Sequence, residues 1–456
     1  MKSFESRNNS SEIVFELYPV GDKAGKEPRY NGVNYHIMHH SYPEEAKGWV
    51  NEIYYPRQEH LSHNLTSVME KDYCLLKSMM WRETEETGFG IFEYEDTDVF
   101  HIFLENADYD VTITFCNPED NPYQAAVKAD KIKKADRIEV DRENSITFCT
   151  SVVKNELILK ILPVCYGTSR EKAGPEQVYI KQITIKRKPD KKPGLKPTVF
   201  LASDSTVQTY SKSDFPQAGW GEMLIHYFKE DTAAALDNSN LSDEPGVYET
   251  KDIRIDNRAI GGRSSRSFLE EGRFDDILKE LKPGDYVFVQ FGHNDATAAR
   301  PNRYVSYRDF AGYLQYYIDG VRQRKGICVL VTPVERRSYD EKTGLFHLSF
   351  PQYREVMLNL SREQNIPLLD LGLESTFYLN TVGPERSKKL YLWTNPGEYP
   401  ESRYASGVSD NTHLQKKGAF IIAGLVIRLI TGYHKDRQLD VLKNLIKDGF
   451  STNDVI

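Results

Sequence analysis

Residues 198-TVFLASDSTVQTY-210 read as a short buried strand, β-branched and aromatic, that breaks into Ser203-Asp204-Ser205-Thr206 without resuming a helical or strand period. Serine, threonine and aspartate cap helices, because their side-chain oxygens accept the free N–H groups of the first turn. The same residues suit a nucleophile at the carboxyl end of a parallel strand, where open α/β sheets place their sites. Taken alone, the stretch fits a helix cap better. The rest of the chain decides between the two.

Downstream, the strand-like runs TVFLA, IRIDNRA, DYVFVQF, ICVLVT and IPLLD alternate with amphipathic stretches such as 266-RSFLEEGRFDDILKEL-281 and 307-YRDFAGYLQYYIDGVRQ-323. That alternation predicts a parallel sheet covered on both faces. Upstream the rhythm differs. FGIFEYE, DVFHIFLE, YDVTITFCN, SITFCTSVV, ELILKILPV and VYIKQITIK are short, alternating and separated by turn residues such as 117-NPEDNP-122, a pattern that predicts an antiparallel sandwich. Between the halves, 188-KPDKKPGLKP-197 combines three prolines, a glycine and four lysines, which is linker composition. The expected organisation is therefore an all-β sandwich of jelly-roll or galactose-binding-like type over 1–187, a linker over 188–197 and an α/β domain over 198–456.

A chain of 456 residues is too long for one ordinary core. An apolar content of 39% with 28% charged residues is a globular profile. The net charge of −8 argues against nucleic acid or an anionic membrane as partner, since both demand a basic face. Five cysteines form no CxxC pair, and several sit in strand-like runs such as 112-TITFC-116. They read as reduced, buried thiols. The N-terminal stretch carries no apolar signal region, so with Met1 as the natural start the expected location is cytoplasmic. The apolar run 419-AFIIAGLVIRLI-430 is too short to span a bilayer and predicts a buried helix.

The ends of the strand-like runs carry the chemistry. The first offers Ser205. The second runs into 257-NRAIGGRSSRSF-268, the third into 290-QFGHND-295, and 409-SDNTHLQKKGA-419 precedes the apolar helix. Acyl transfer needs what these loops supply. A serine hydroxyl becomes nucleophilic when a histidine takes its proton, and the histidine needs a carboxylate to fix its tautomer. The developing oxyanion needs donors placed in advance. Ser205, His413 and Asp410 fit the first three roles. The Ser205 amide, the Gly262 amide and the Asn294 side chain fit the last, Gly262 because it lacks a Cβ. Each residue alone has an ordinary reading as cap, turn or surface. Their joint appearance in order on successive strand ends speaks for a site.

These blocks resemble the SGNH (GDSL-type) hydrolase superfamily: a serine block, a glycine block, a GxND block at Gly292-His293-Asn294-Asp295 and a DxxH block from Asp410 to His413. FLASDSTV, QAGWGEML, NRAIGGRSSRSF, VFVQFGHND, TPVERR and SDNTHLQKKGA are similar to stretches of the rhamnogalacturonan acetylesterase-like carbohydrate esterases. The likeness spans roughly residues 198–432. It implies a flavodoxin-like α/β/α sandwich, no cofactor, Ser205 as nucleophile, His413 as base, Asp410 as its orienter, and Ser205, Gly262 and Asn294 as oxyanion donors. Where the usual GDS block has glycine, this chain has Ser203, whose Cβ is expected to tighten the turn. Asp204 reads as structural. The chain lacks a GxSxG elbow, which argues against the ordinary α/β-hydrolase fold.

Substrate contacts are expected from the arginines, because guanidinium groups bind carboxylates bidentately. Of Arg254, Arg258, Arg263, Arg266, Arg336 and Arg337, the candidates are Arg263 and Arg336. Trp220 and Tyr210 are candidates for stacking on sugar rings or for the core. No metal is expected. His36, His39 and His40 in 34-NYHIMHH-40, with His60 and His63, lack a spacing that gathers ligands on one centre, and 88-GFG-90 lacks the third glycine of a dinucleotide loop.

The function these residues imply is a serine esterase, a carboxylic ester hydrolase removing acetyl groups from pectin-derived rhamnogalacturonan oligosaccharides. An acetylxylan or general acyl-carbohydrate esterase shares the same residues. The intact set of five site residues speaks against a carbohydrate-binding protein with a vestigial hydrolase domain, and no apolar lid points to a lipase. The expected partner is an acetylated oligosaccharide. The first half, with Trp49 and Trp81 as apolar platforms, is expected to shape one wall of the cleft or to mediate homodimerisation.

Overall fold

A computed structural model describes residues 99–117, 122–130, 132–163, 177–229 and 246–447, with short strands among residues 12–77 and at 234–235. The chain divides into two compact units, Met1–Asp190 and Lys191–Ile456.

In the first unit, among the described residues, Asp108–Cys116 lies between Glu143–Ser151 and Gln177–Arg187 in one sheet, every pairing antiparallel. In a second sheet, Glu156–Pro163 lies between Val99–Phe103 and Tyr123–Ala129, and the latter pairs with Ile132–Val140. Alternation decides which side chains turn inward. Val111, Ile113 and Phe115 are fully buried and share one core with Val127, Leu157, Leu159 and Ile183 of the other strands. On the opposite face Thr112 and Thr147 exchange a hydroxyl hydrogen bond of 2.8 Å. The strand expected at FGIFEYE lies outside the described residues.

The second unit is built on five parallel strands: β1 (Thr198–Ala202), β2 (Arg254–Asn257), β3 (Tyr286–Val289), β4 (Ile327–Val331) and β5 (Leu368–Leu369). Their order across the sheet is β2-β1-β3-β4-β5, with Gly246–Glu249 and Ala234–Ala235 added antiparallel beside β2. Val199, Leu201, Val287, Val289, Val329 and Val331 have no exposed surface, as strands covered on both faces require. The strand order reverses between β1 and β3, and an open α/β sheet leaves a crevice outside the carboxyl ends at such a point.

The helices follow their apolar spacing. Tyr307–Gln323 begins at Ser306, whose hydroxyl accepts from Asp309 N, and buries Phe310, Leu314, Tyr317 and Ile318. The amphipathic stretch 266–281 is not one helix. Gly272, at φ 78°, breaks it into Ser265–Glu270 and Arg273–Glu280. The apolar run near the end forms the buried helix Lys416–Thr431. Among the described residues no helix is long and apolar enough to cross a membrane. A small sheet, with Val408–Gln415 between Gln217–Ala218 and Tyr391–Thr394, brings the strand before that last run beside the loop that follows β1.

Candidate active site

Ser205 leaves β1 in a tight turn, not at the head of a helix. The amides of Val207 and Gln208 both donate back to the Asp204 carbonyl, at 3.1 and 3.2 Å. The helix-cap reading of Ser203-Asp204-Ser205-Thr206 therefore fails, because no helix follows to be capped. Ser203 does not crowd the turn. Its hydroxyl donates to the Gln290 carbonyl at 2.6 Å and ties the end of β1 to the end of β3. Asp204 is fully buried and accepts from the amide and hydroxyl of Thr206 at 3.0 and 2.8 Å. Burial pushes its carboxyl above the usual range against those two bonds. Gly219 lets the next helix press onto this turn, since a Cβ there would stand 2.2 Å from the Gln208 carbonyl oxygen.

His413 reaches the serine from the small sheet. Tyr391 pairs with Leu414 and Trp393 with Ser409, so residues 410–413 stand opposite Leu392 alone and bulge outward. Within the bulge Asp410 Oδ1 accepts from the amides of Thr412 and His413 at 2.6 and 3.0 Å, while Oδ2 accepts from His413 Nδ1 at 2.7 Å. With that proton on Nδ1, Nε2 is an acceptor, and Ser205 Oγ lies 3.0 Å from it. Burial of Asp410 works to raise its pKa. The hydrogen bond and charge of His413 and the two amides outweigh that and hold it at about 2.

Two further loops meet at the same edge. Gly262 takes φ 81°, a conformation that favours glycine. Asn294 is nearly buried and donates one Nδ2 hydrogen to the Arg263 carbonyl at 2.9 Å, which leaves its second N–H unspent. Asp295 fastens the loops together by accepting from Ser265 N and Oγ at 3.0 and 2.6 Å and from Gly292 N at 3.0 Å. Burial raises the Asp295 carboxyl to about 7 against those bonds.

Ser205, Gly262, Asn294, Asp410 and His413 line one cavity of about 600 Å³. Tyr210 lines it too and donates its hydroxyl to the Ser205 carbonyl at 2.7 Å. Of the arginines singled out from the sequence, only Arg336 borders the cavity. Its Nε faces His293 Nδ1 at 3.4 Å and its guanidinium lies 4.9 Å from the Phe350 ring centre. His293 itself is buried, and burial, with the nearby charge of Arg336, lowers its pKa to about 3. Its neutral ring pairs Nε2 with the Val334 carbonyl at 2.9 Å.

Two expected substrate contacts are corrected. Trp220 is 1% exposed and belongs to the core, with its indole N–H on Gln290 Oε1 at 3.1 Å; the helix that carries it turns it inward. Arg263 pairs with Glu271 and lines an adjoining hollow of about 440 Å³. Arg254 and Arg258 pair with Asp256, and Arg266 with Glu270. The sequence reading passed over Arg303 and Arg403, which also line the Ser205 cavity. The histidine group 36–63, the two tryptophans of the first unit and 88-GFG-90 lie outside the described residues, among which no cluster of His, Cys, Asp and Glu is placed to hold a metal.

An arrangement of hydroxyl, imidazole and carboxylate beside several N–H donors can carry out acyl transfer. The sequence profile of the GDSL-like Lipase/Acylhydrolase family matches residues 204–419. The chain is 36% identical over 228 residues to the rhamnogalacturonan acetylesterase RhgT of Bacillus subtilis, covering 50% of this chain and 87% of that one. It is 37% identical over 251 residues to the probable rhamnogalacturonan acetylesterase YesY of the same organism, covering 55% and 98%. Among solved structures, Bacillus subtilis protein YxiM aligns at 25% identity with a TM-score of 0.42, covering 75% of this chain and 82% of that one.

Proposed function

We propose that this chain, which belongs to the GDSL-like lipase/acylhydrolase family and is a carboxylic ester hydrolase, removes acetyl groups from rhamnogalacturonan oligosaccharides. The observation that carries the reading is the continuous hydrogen-bonded series Ser205–His413–Asp410 opening onto a polar cavity. The names of the two Bacillus relatives support the sugar.

In this mechanism Ser205 Oγ attacks the acetyl carbonyl carbon as its proton passes to His413 Nε2. Asp410 keeps the other ring proton on Nδ1 and stabilises the imidazolium that forms. The carbonyl oxygen gathers negative charge and receives hydrogen bonds from the amides of Ser205 and Gly262 and from the second N–H of Asn294. As the tetrahedral intermediate collapses, the C–O bond to the sugar breaks and His413 returns its proton to the leaving hydroxyl. Water, deprotonated by His413, then releases acetate from the acetyl-serine and restores the hydroxyl. The first unit serves as an all-β sandwich accessory domain. Its two largely antiparallel sheets around one core support that assignment.

The test is acetate release from a panel of acetylated rhamnogalacturonan, acetylated xylan and acetylated homogalacturonan oligosaccharides, with Ser205→Ala alongside. Preference for the first substrate with loss in the variant is the expected result. Equal or better release from acetylated xylan would replace the substrate and keep the chemistry.

A further inference from the structure

We infer that Arg303 reads the carboxylate of a uronic acid unit in the Ser205 cavity, so that the enzyme prefers acetyl groups on anionic sugars to those on neutral ones. The inference rests on the esterase reading above and names the feature of the substrate that the site selects.

Several other arginines around the site have counter-ions. Arg263 has Glu271, Arg258 has Asp256 and Glu280, Arg266 has Glu270, and Arg403 has Asp214. Among the described residues, the guanidinium groups of Arg303 and Arg336 form no ion pair with a carboxylate, although both residues line the cavity. Asp204 attracts both from a distance without an ion pair, and Arg336 is also attracted by Glu335 and Asp410, which leaves Arg303 the less compensated of the two. Arg303 donates from one terminal nitrogen to the Gly262 carbonyl at 3.1 Å, and its Nε is buried without a hydrogen-bond partner. Burial, with Arg300 and Arg263 nearby, lowers its pKa, so the fold holds this cation against a cost.

An uncompensated, partly desolvated guanidinium is unfavourable, and a carboxylate meets its fork with parallel N–H···O bonds. Arg303 is braced on the carbonyl of the glycine whose amide is assigned to the oxyanion. A carboxylate held there belongs to the same sugar, or the next one, as the acetyl group over Ser205. No signal in 299-ARPNRYVSY-307 announces this role; it exists only because the loop folds against Gly262.

The test compares two substrates that differ only at the carboxyl group, an O-acetylated methyl galacturonoside and its neutral carboxyl methyl ester, with acetate release as the readout. Wild-type protein is expected to favour the acid by about tenfold or more in kcat/KM, since hydrogen bonds to charged groups lie in that range. Arg303→Gln should collapse this ratio, chiefly through KM for the acid, and Arg303→Lys should restore part of it. Equal wild-type rates on the two substrates would overturn the inference while leaving the esterase reading intact. So would an Arg303→Gln loss of the same factor on both, because the residue would then only brace Gly262. If neither substrate were cleaved, the esterase reading would fail, and calorimetric titration with galacturonate and its methyl ester would decide. Binding of the acid alone, lost in Arg303→Gln, upholds the carboxylate site; equal binding of both, or none, removes it.

Discussion

Asp295 holds Ser265 by two hydrogen bonds, at 3.0 Å to its amide and 2.6 Å to its hydroxyl. The contact fixes the loop after β3, which carries Asn294, against the loop after β2, which carries Gly262. Asp295 touches no substrate and is a positioning residue. Asp295→Ala is expected to lower kcat by roughly 10²-fold, the loss typical of one misplaced oxyanion donor, with little change in KM. A change confined to KM, at intact thermal stability, would show that the clamp does not govern the donors.

Ser205→Ala should abolish hydrolysis of a simple acetyl ester in a folded protein. Asp410→Asn should cost less than His413→Ala, because the carboxylate orients while the imidazole carries the proton. The double variant should be no worse than His413→Ala alone, since residues acting as a unit fail together. Multiplicative losses in steady-state kinetics would separate the pair from the serine.

Hydrolysis is expected to survive exhaustive chelation, because nucleophile, base and donors are all supplied by side chains and amides. Inactivation by chelator, reversed by one divalent metal, would return the histidines between His36 and His63 to consideration.

Buried His293 gives a pH signature. Its folded pKa, about 3, lies below the unfolded value of about 6.5. As pH falls below 6.5 the unfolded chain takes up a proton that the folded one refuses until about pH 3. Stability is thus full above the unfolded pKa and drops through this window, by about 1.4 kcal/mol per pH unit from this group. Denaturant unfolding of wild type and His293→Gln at pH 7, 6 and 5 should show a shallower acid decline in the variant. Parallel declines would place the linkage elsewhere.

A chain beginning at Lys191 keeps the bonds from Lys191 Nζ to the Leu278 carbonyl and from Lys196 Nζ to the Thr250 carbonyl. It is expected to cleave a small acetyl ester at near full rate and to lose efficiency on oligosaccharides, where remote contacts feed transition-state stabilisation. A folded truncation inactive on both would mean that the first unit supplies part of the site.

The residues that form the site were legible because strand ends are punctuated. A buried apolar run stopping at serine, at Gly-Gly or at Asn-Asp has few structural uses, and ordered repetition of such stops narrows them further. What escaped depends on facing. Trp220 sits in a four-residue helix, Trp220–Met223, too short for apolar spacing to reveal which side turns inward. The strands Tyr123–Ala129 and Ile132–Val140 were hidden by their lysines, which a strand with one exposed face tolerates. Arg303 looked like any loop cation. Its distinction is a guanidinium without an ion pair, braced on the Gly262 carbonyl with its Nε buried and unbonded, a property of the folded neighbourhood and not of the residue.

The bulged strand that carries His413 has a consequence for how activity is acquired. Ser205 and His413 stand 208 positions apart, and they meet only when residues 408–415 are laid beside Gln217–Ala218. Contacts of such separation bear the loop-closure cost in full and are slow to nucleate. A chain that has paired β1, β2 and β3 but not yet docked this strand owns a serine and its donors without a base. Ester hydrolysis should therefore recover late in refolding, after the bulk of the helical signal, and a polypeptide emerging during synthesis stays chemically silent until nearly the whole second unit has assembled.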